Sequence, residues 1–282
     1  MTDPAIPQDK RWTGFSPARI YALEPVFSAI ALFLVALMIQ TLAAMALDDR
    51  TLLAENVWSK PLKFQFALII YLATLVWFAT WLPPGTTRKP LYRIFSLIVG
   101  FCVLAEMLWI SGAAMFGIQS HFNYSNPFMA TIYPVMGFFA ATLTSASLVY
   151  GILIARNRDS GLKPAVQFAL VIGLVLTFFL TAFVAGFLSS QGTHLIGGAL
   201  PDGEGFPVMG WSRQQGDLRV AHFLSTHAMH AIPLCGLLVS GLKKNRDALL
   251  MVAGFSVAYL VLVVFSFVQA LNGQPFIAFV KV

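Results

Sequence analysis

The run PAVQFALVIGLVLTFFLTAFVAGFLS, Pro164 to Ser189, is 26 residues long and contains no charged side chain. As a helix rising about 1.5 Å per residue it would extend about 39 Å, more than the ~30 Å hydrocarbon core of a bilayer. Its apolar residues are continuous, unlike the ~10-residue alternating segments of an outer-membrane barrel. Six more such stretches lie on either side: Ala22 to Leu47, Phe64 to Leu82, Ile94 to Gly117, Phe128 to Ala155, Leu218 to Leu242 and Ala248 to Leu271. Together the seven fill more than half of the 282 residues and leave no room for a sizeable soluble domain. The expected fold is an all-α polytopic membrane protein, a seven-transmembrane-helix bundle. Composition agrees, because 58% of residues are hydrophobic and only 11% charged, about half the charge of an ordinary soluble domain.

Seven spans put the two termini on opposite sides. One side would carry Lys10, Arg11, Arg19, Arg88, Lys89, Arg93, Arg156, Arg158, Lys163, Lys243, Lys244 and Arg246; the other has Arg50, Lys60, Lys63, Arg213, Arg219 and Lys281. Twelve cations against six predict a cytoplasmic N-terminus and an external C-terminus. Residues 1–21 are then a cytoplasmic tail, and residues 22–282 the membrane domain with a long outer loop at 190–217. No cleavage pattern follows the first apolar run, so that run is expected to be retained as a helix. These features together point to a cytoplasmic membrane crossed several times. The net charge of +6 is spread between spans as orientation requires, not gathered into a patch, which argues against nucleic acid as a partner. Cys102 and Cys235 fall within apolar spans, as small packing residues do.

No phosphate, dinucleotide or metalloprotease signature occurs in the chain, so function must reside in polar residues at membrane depth or beside it. All five histidines, His121, His194, His222, His227 and His230, fall on the predicted outer side. Imidazole is the commonest metal ligand and titrates nearest neutral pH, so the cluster suits a metal, a haem or moving protons. In the sixth span, GDLRVAHFLSTHAMH (Gly216 to His230), Asp217 is placed as an N-cap, and Arg219, a cation opposing the helix dipole, calls for an acidic partner. At 100° per residue His227 and His230 lie about 60° apart on one face. Other segments must complete any metal site, because one helix fans its three imidazoles over a wide arc. Glu106 is a carboxylate deep inside a span, costly there unless paired, protonated or hydrated. Its depth matches that of His227 and His230, so a meeting of the carboxylate with those imidazoles is expected if the third and sixth helices are neighbours. The entry to the second span, Trp58 to Phe64, offers Lys60 and Lys63 to lipid phosphates or an anionic substrate. The outer loop, glycine-rich but also carrying His194, Asp202, Glu204 and Trp211, reads as a folded lid more than as a spacer.

Trp58 through Phe64, Ser120 through Asn123, Pro201-Asp202-Gly203, Gly210-Trp211-Ser212 and Gly216 through Phe223 with His227 together resemble a family of uncharacterised bacterial multi-pass membrane proteins. The likeness runs from the second span through the sixth. It implies no activity; it matches His121, His194, His222 and His227, and has glutamine at the position of His230.

The leading expectation is a site beneath the outer loops that binds a metal for redox or hydrolytic chemistry on a small or lipid-soluble substrate. His121, His194, His222 and His227 would be its ligands, with zinc, copper or iron as candidates. Haem is the second cofactor choice, held by His222 or His227, although only the sixth span supplies a histidine at membrane depth. Glu106, Asp217 and Arg219 are the candidate catalytic residues. Two other readings stand beside it: a proton-coupled transporter in which Glu106 and the histidines form a relay, and a non-catalytic sensor or assembly subunit.

Overall fold

The computed structural model describes residues 21–53, 55–197, 205–206, 209–242 and 244–277. The N-terminal tail, Asp202 and Glu204 of the lid, and Lys243 and Lys281 lie outside the described residues. Seven helices among them are long and apolar enough to cross a membrane: α1 Pro25–Leu47, α2 Ser59–Phe78, α3 Pro90–Met115, α4 Pro127–Arg156, α5 Pro164–Ser190, α6 Leu218–Val239 and α7 Asn245–Leu271. The chain is thus an all-α, seven-helix integral membrane protein. Leu32, Ile39, Leu108, Phe138, Leu238 and Phe265 are each more than half exposed, as side chains are when lipid and not protein covers them.

Proline sets several starts. Pro25, Pro90, Pro127 and Pro164 each open a helix, where a missing N–H costs nothing and the fixed φ is already helical. The largest departure from the expected boundaries is α2, which begins at Ser59 and not Phe64. Hydropathy alone ends the span where Lys60 and Lys63 appear, yet both are accommodated in the first turn because each finds a polar partner.

The helices form two cores. One gathers Phe27, Leu72, Val103, Tyr150 and Leu174 from α1 to α5, and the other gathers Ala169, Ala228, Ile232, Val252 and Val263 from α5, α6 and α7. Helix α5 belongs to both. Its contact with α6 is close because Gly173 lies where a Cβ would press on Pro233 and the Ala228 carbonyl, at 2.9 and 3.0 Å. Pro233 interrupts α6, and two neighbours supply polar support around it: the Met229 amide donates to Thr177 Oγ1 at 2.8 Å and the Tyr259 hydroxyl to the Leu224 carbonyl at 2.8 Å.

One end of the bundle, the loop face, carries every strand among the described residues. A two-residue hairpin, β1 Thr51–Leu52 with β2 Glu55–Asn56, precedes α2, and β3 Leu195–Ile196 pairs antiparallel with β4 Gly216–Asp217. Gly216 sits against the Ala270 carbonyl at the end of α7, leaving no space for a side chain. Arg50 joins Asp48 at 2.7 Å and donates to the Met115 carbonyl at 3.1 Å, tying the ends of α1 and α3 together. Trp58 Nε1 also donates to Asp48 at 2.8 Å, and these donors hold the Asp48 carboxyl well below the usual carboxylate range.

Candidate functional site

The polar residues of the loop face converge at the seam between the two cores. Asp217 is the fastening point. It caps α6 by accepting from the Arg219 amide at 3.0 Å, receives the Arg219 guanidinium at 2.6 and 2.9 Å, and accepts from the Ser212 amide at 2.9 Å. Arg219 in turn donates to the Gly210 carbonyl at 2.6 Å. The acidic partner expected for Arg219 is therefore its neighbour two residues back, and the pair staples the lid segment at Gly210 and Ser212 to the helix. Both groups are engaged with each other and with backbone, so their geometry is that of a clasp; a role in catalysis stays a proposal. Beneath the lid, Lys63 joins Glu55 at 2.8 and 3.1 Å, and a Cβ on Gly210 would run into that carboxylate.

Lys60 lies deeper. Its Nζ is 3.2 Å from His121 Nδ1, which also meets Ser120 Oγ at 3.2 Å, so the ring nitrogen facing the ammonium is an acceptor. The ammonium is within electrostatic reach of Glu106, Glu55 and Arg219. Asp217 and Glu55 already hold Arg219 and Lys63 in direct ion pairs, whereas Lys60 and Glu106 act on each other through space. Glu106 is 4% exposed, and its Oε1 has no hydrogen-bond partner.

The loop histidines pack around this charge. His121 packs tilted against Phe64 and edge-on to Tyr133, with ring centroids 5.8 and 5.9 Å away, while His194 lies 6.5 Å from the Phe122 ring. Burial, reinforced by the Lys60 ammonium and by His222, pushes the His121 imidazole down to about 3. Burial and then Arg219 push His194 down to about 4. Both rings are neutral at neutral pH, each with one donor and one acceptor nitrogen.

Below His121 the three histidines of α6 descend as a ladder. His222 is within electrostatic reach of His121 above it and of His227 below it, and its buried Nδ1 has no partner. His227 stacks on Phe223 at 4.0 Å, and its Nδ1 lies 2.8 Å from the Phe223 carbonyl and 3.0 Å from Thr226 Oγ1. A carbonyl accepts only, so Nδ1 carries the proton and Nε2 the lone pair. The His227 and His230 rings are 5.2 Å apart. His230 Nε2 meets Thr74 Oγ1 of α2 at 3.0 Å.

Two sequence expectations find different surroundings. Depth along two helices fixes a layer but not a neighbour: the charge within reach of Glu106 is that of Lys60, and the main neighbours of α3 are α1, α2 and α4 whereas those of α6 are α5 and α7, so a meeting of Glu106 with the sixth-span histidines stays a proposal. Among the described residues, no group of three or more His, Cys, Asp or Glu side chains is arranged to hold a metal ion. His121 Nδ1 is occupied by Lys60 and Ser120, and His227 Nδ1 by a carbonyl. His230, set aside by the resemblance, is instead the foot of the ladder.

Sequence reasoning missed Thr74, which has no signal beyond being a hydroxyl in an apolar helix. It also missed a second buried acid. Glu24, 1% exposed at the start of α1, has the Tyr92 hydroxyl and the Phe27 and Val26 amides beside its carboxyl, which burial pushes up. Near it the hydroxyls of Tyr92 and Tyr150 share a 2.6 Å hydrogen bond.

No protein-family model, curated protein or solved structure matches the chain.

Proposed function

We propose that the protein is a proton-coupled membrane carrier, in which the loop-face residues Lys60, Glu106 and His121 exchange protons with water and the α6 histidines carry them to mid-membrane depth. The observation that supports it most is the succession of imidazoles along α6: the His227 and His230 rings lie 5.2 Å apart, His230 meets Thr74 at 3.0 Å, and His222 lies within electrostatic reach of both His121 and His227. A neutral imidazole accepts on one nitrogen and donates from the other, so a file of them passes protons without any ring holding a lasting charge in the low-dielectric interior. Lys60 and Glu106 bring an ammonium and a carboxylate that act on each other through space to the entrance. The cation asymmetry, twelve against six, turns this face outward from a bacterial inner membrane.

The metal reading asks for a third converging ligand, and His227 with His230 supplies two. Nitrogen-15 NMR of histidine-labelled protein in bilayers separates the two readings. A relay predicts one protonated and one lone-pair nitrogen on each of His227 and His230, both resonances unmoved by added zinc, copper(I) or iron(II). Stoichiometric displacement of both by one of these ions contradicts the relay and restores the metal site.

A further inference from the structure

The end of the bundle opposite the loop face holds a buried acid that the relay does not use. Glu24 stands at the N-cap of α1 and is 1% exposed. Tyr92 lies in the first turn of α3 and Tyr150 in the last two turns of α4, so three helices deliver one carboxyl and two phenols to one place. Tyr92 is 6% exposed and Tyr150 fully buried. The Tyr150 ring stacks on Phe27, also fully buried, with centroids 6.4 Å apart. Packing fixes that ring, while its hydroxyl hydrogen stays free to turn.

Opposing influences act on the acid. Burial favours its neutral form, whereas the Tyr92 hydroxyl and the Val26 and Phe27 amides beside it favour the carboxylate. Tyr150 is within electrostatic reach of both Tyr92 and Glu24. The end of α2 and the turn after it, Thr74 to Trp81, bring no titratable side chain, and Tyr21, on the acid's own segment, is 44% exposed. Arg88, Lys89 and Arg93 border Tyr92 in the chain, and Arg156 and Arg158 follow Tyr150. The 2.6 Å bond between the two phenols can be donated from either oxygen. Beside a carboxylate, Tyr92 donates to Glu24 and Tyr150 donates to Tyr92. Once Glu24 takes a proton, its own O–H donates to Tyr92, which then donates to Tyr150. We propose that Glu24, Tyr92 and Tyr150 form a proton-holding site at this end of the bundle, in which gain or loss of one proton at the Glu24 carboxyl reverses the hydrogen bonds of both phenols. The only covalent change is the O–H bond at the carboxyl, and the proton comes from water and returns to it. In the carrier this is a second station, across the membrane from Lys60 and His121; that use rests on the relay, while holding the proton depends on these three side chains alone.

The test is pH-difference infrared spectroscopy of the full chain in nanodiscs, with ring-labelled tyrosine to mark the phenol bands. Acidification is expected to raise a carboxylic C=O band that Glu24→Gln lacks, with a midpoint above that of an ordinary glutamate, and to shift tyrosine C–O bands at the same midpoint. Tyr92→Phe removes the phenol that donates to the carboxylate, so the midpoint should climb further by about one pH unit, the worth of a hydrogen bond to a charged group. Tyr150→Phe should move it the same way by less. Because Tyr92→Phe keeps the carboxyl, it decides the matter even if Glu24→Gln does not fold. A band untouched by Glu24→Gln, tyrosine bands that ignore the carboxyl, or a midpoint unmoved in Tyr92→Phe overturns the proposal. No histidine is observed and no proton flux is measured, so a failed relay leaves this site standing, and a failed site leaves the relay standing.

Discussion

Asp217→Ala is expected to cost more stability than any other single change at the loop face, about 3 kcal/mol. The substitution removes the N-cap of α6, worth roughly 1 kcal/mol, and strands the Arg219 guanidinium beneath the lid, where breaking a buried pair costs about 3–5 kcal/mol. Arg219 keeps some contact with water, its side chain being 32% exposed, which places the sum near the lower end of that range. In a detergent melt, about 3 kcal/mol lowers Tm by roughly 8 °C. Asp217→Asn retains a capping oxygen and loses the charge, so its Tm should fall between the two. An unchanged melt for Asp217→Ala would mean that the clasp does not hold the lid to the helix.

The second large effect belongs to Lys60 and Glu106. Lys60→Met leaves a carboxylate 4% exposed with no cation in reach, and about 2 kcal/mol of destabilisation is expected, less than for a contact pair because the two meet through space and not in a direct bond. Glu106→Gln should cost a comparable amount by leaving the ammonium unbalanced. The double variant should be less destabilised than the sum of the singles by about 1–2 kcal/mol, the signature of groups acting on each other. Glu106→Gln combined with His227→Ala should instead be additive within about 0.5 kcal/mol. The opposite pattern, coupling with His227 and independence from Lys60, would reinstate the pairing that depth along the helices suggested.

That contrast shows what was legible before the structure. Helix number, helix class and the gathering of five histidines at one face follow from hydropathy and spacing, because a bilayer enforces a single element length and excludes irregular backbone. Asp217 as a cap and an acidic partner for Arg219 were readable because both are local, two residues apart. Which helix stands beside which was not. The partner of Glu106 depends on α2 starting at Ser59, five residues earlier than its hydropathy indicates, so that Lys60 enters the seam. Thr74 was invisible for the same reason: its meaning comes from His230, 156 residues away. Glu24 at the opposite end went unnoticed because it precedes a helix proline, where an acid reads as an ordinary boundary residue, and nothing in the spacing of Tyr92 and Tyr150 places them near it.

The central claim, that protons reach His230 from the loop face by way of the histidines above it, is tested most directly by hydrogen exchange at the imidazole rings. Protein labelled with nitrogen-15 histidine is placed in bilayers, transferred to heavy water, and the ring N–H signals followed by NMR. The relay predicts that His230 Nε2–H exchanges readily in the wild type and becomes strongly protected in His222→Phe, while His121 above the break exchanges as before. A His230 proton protected already in the wild type, or one that exchanges equally fast without His222, would contradict the account.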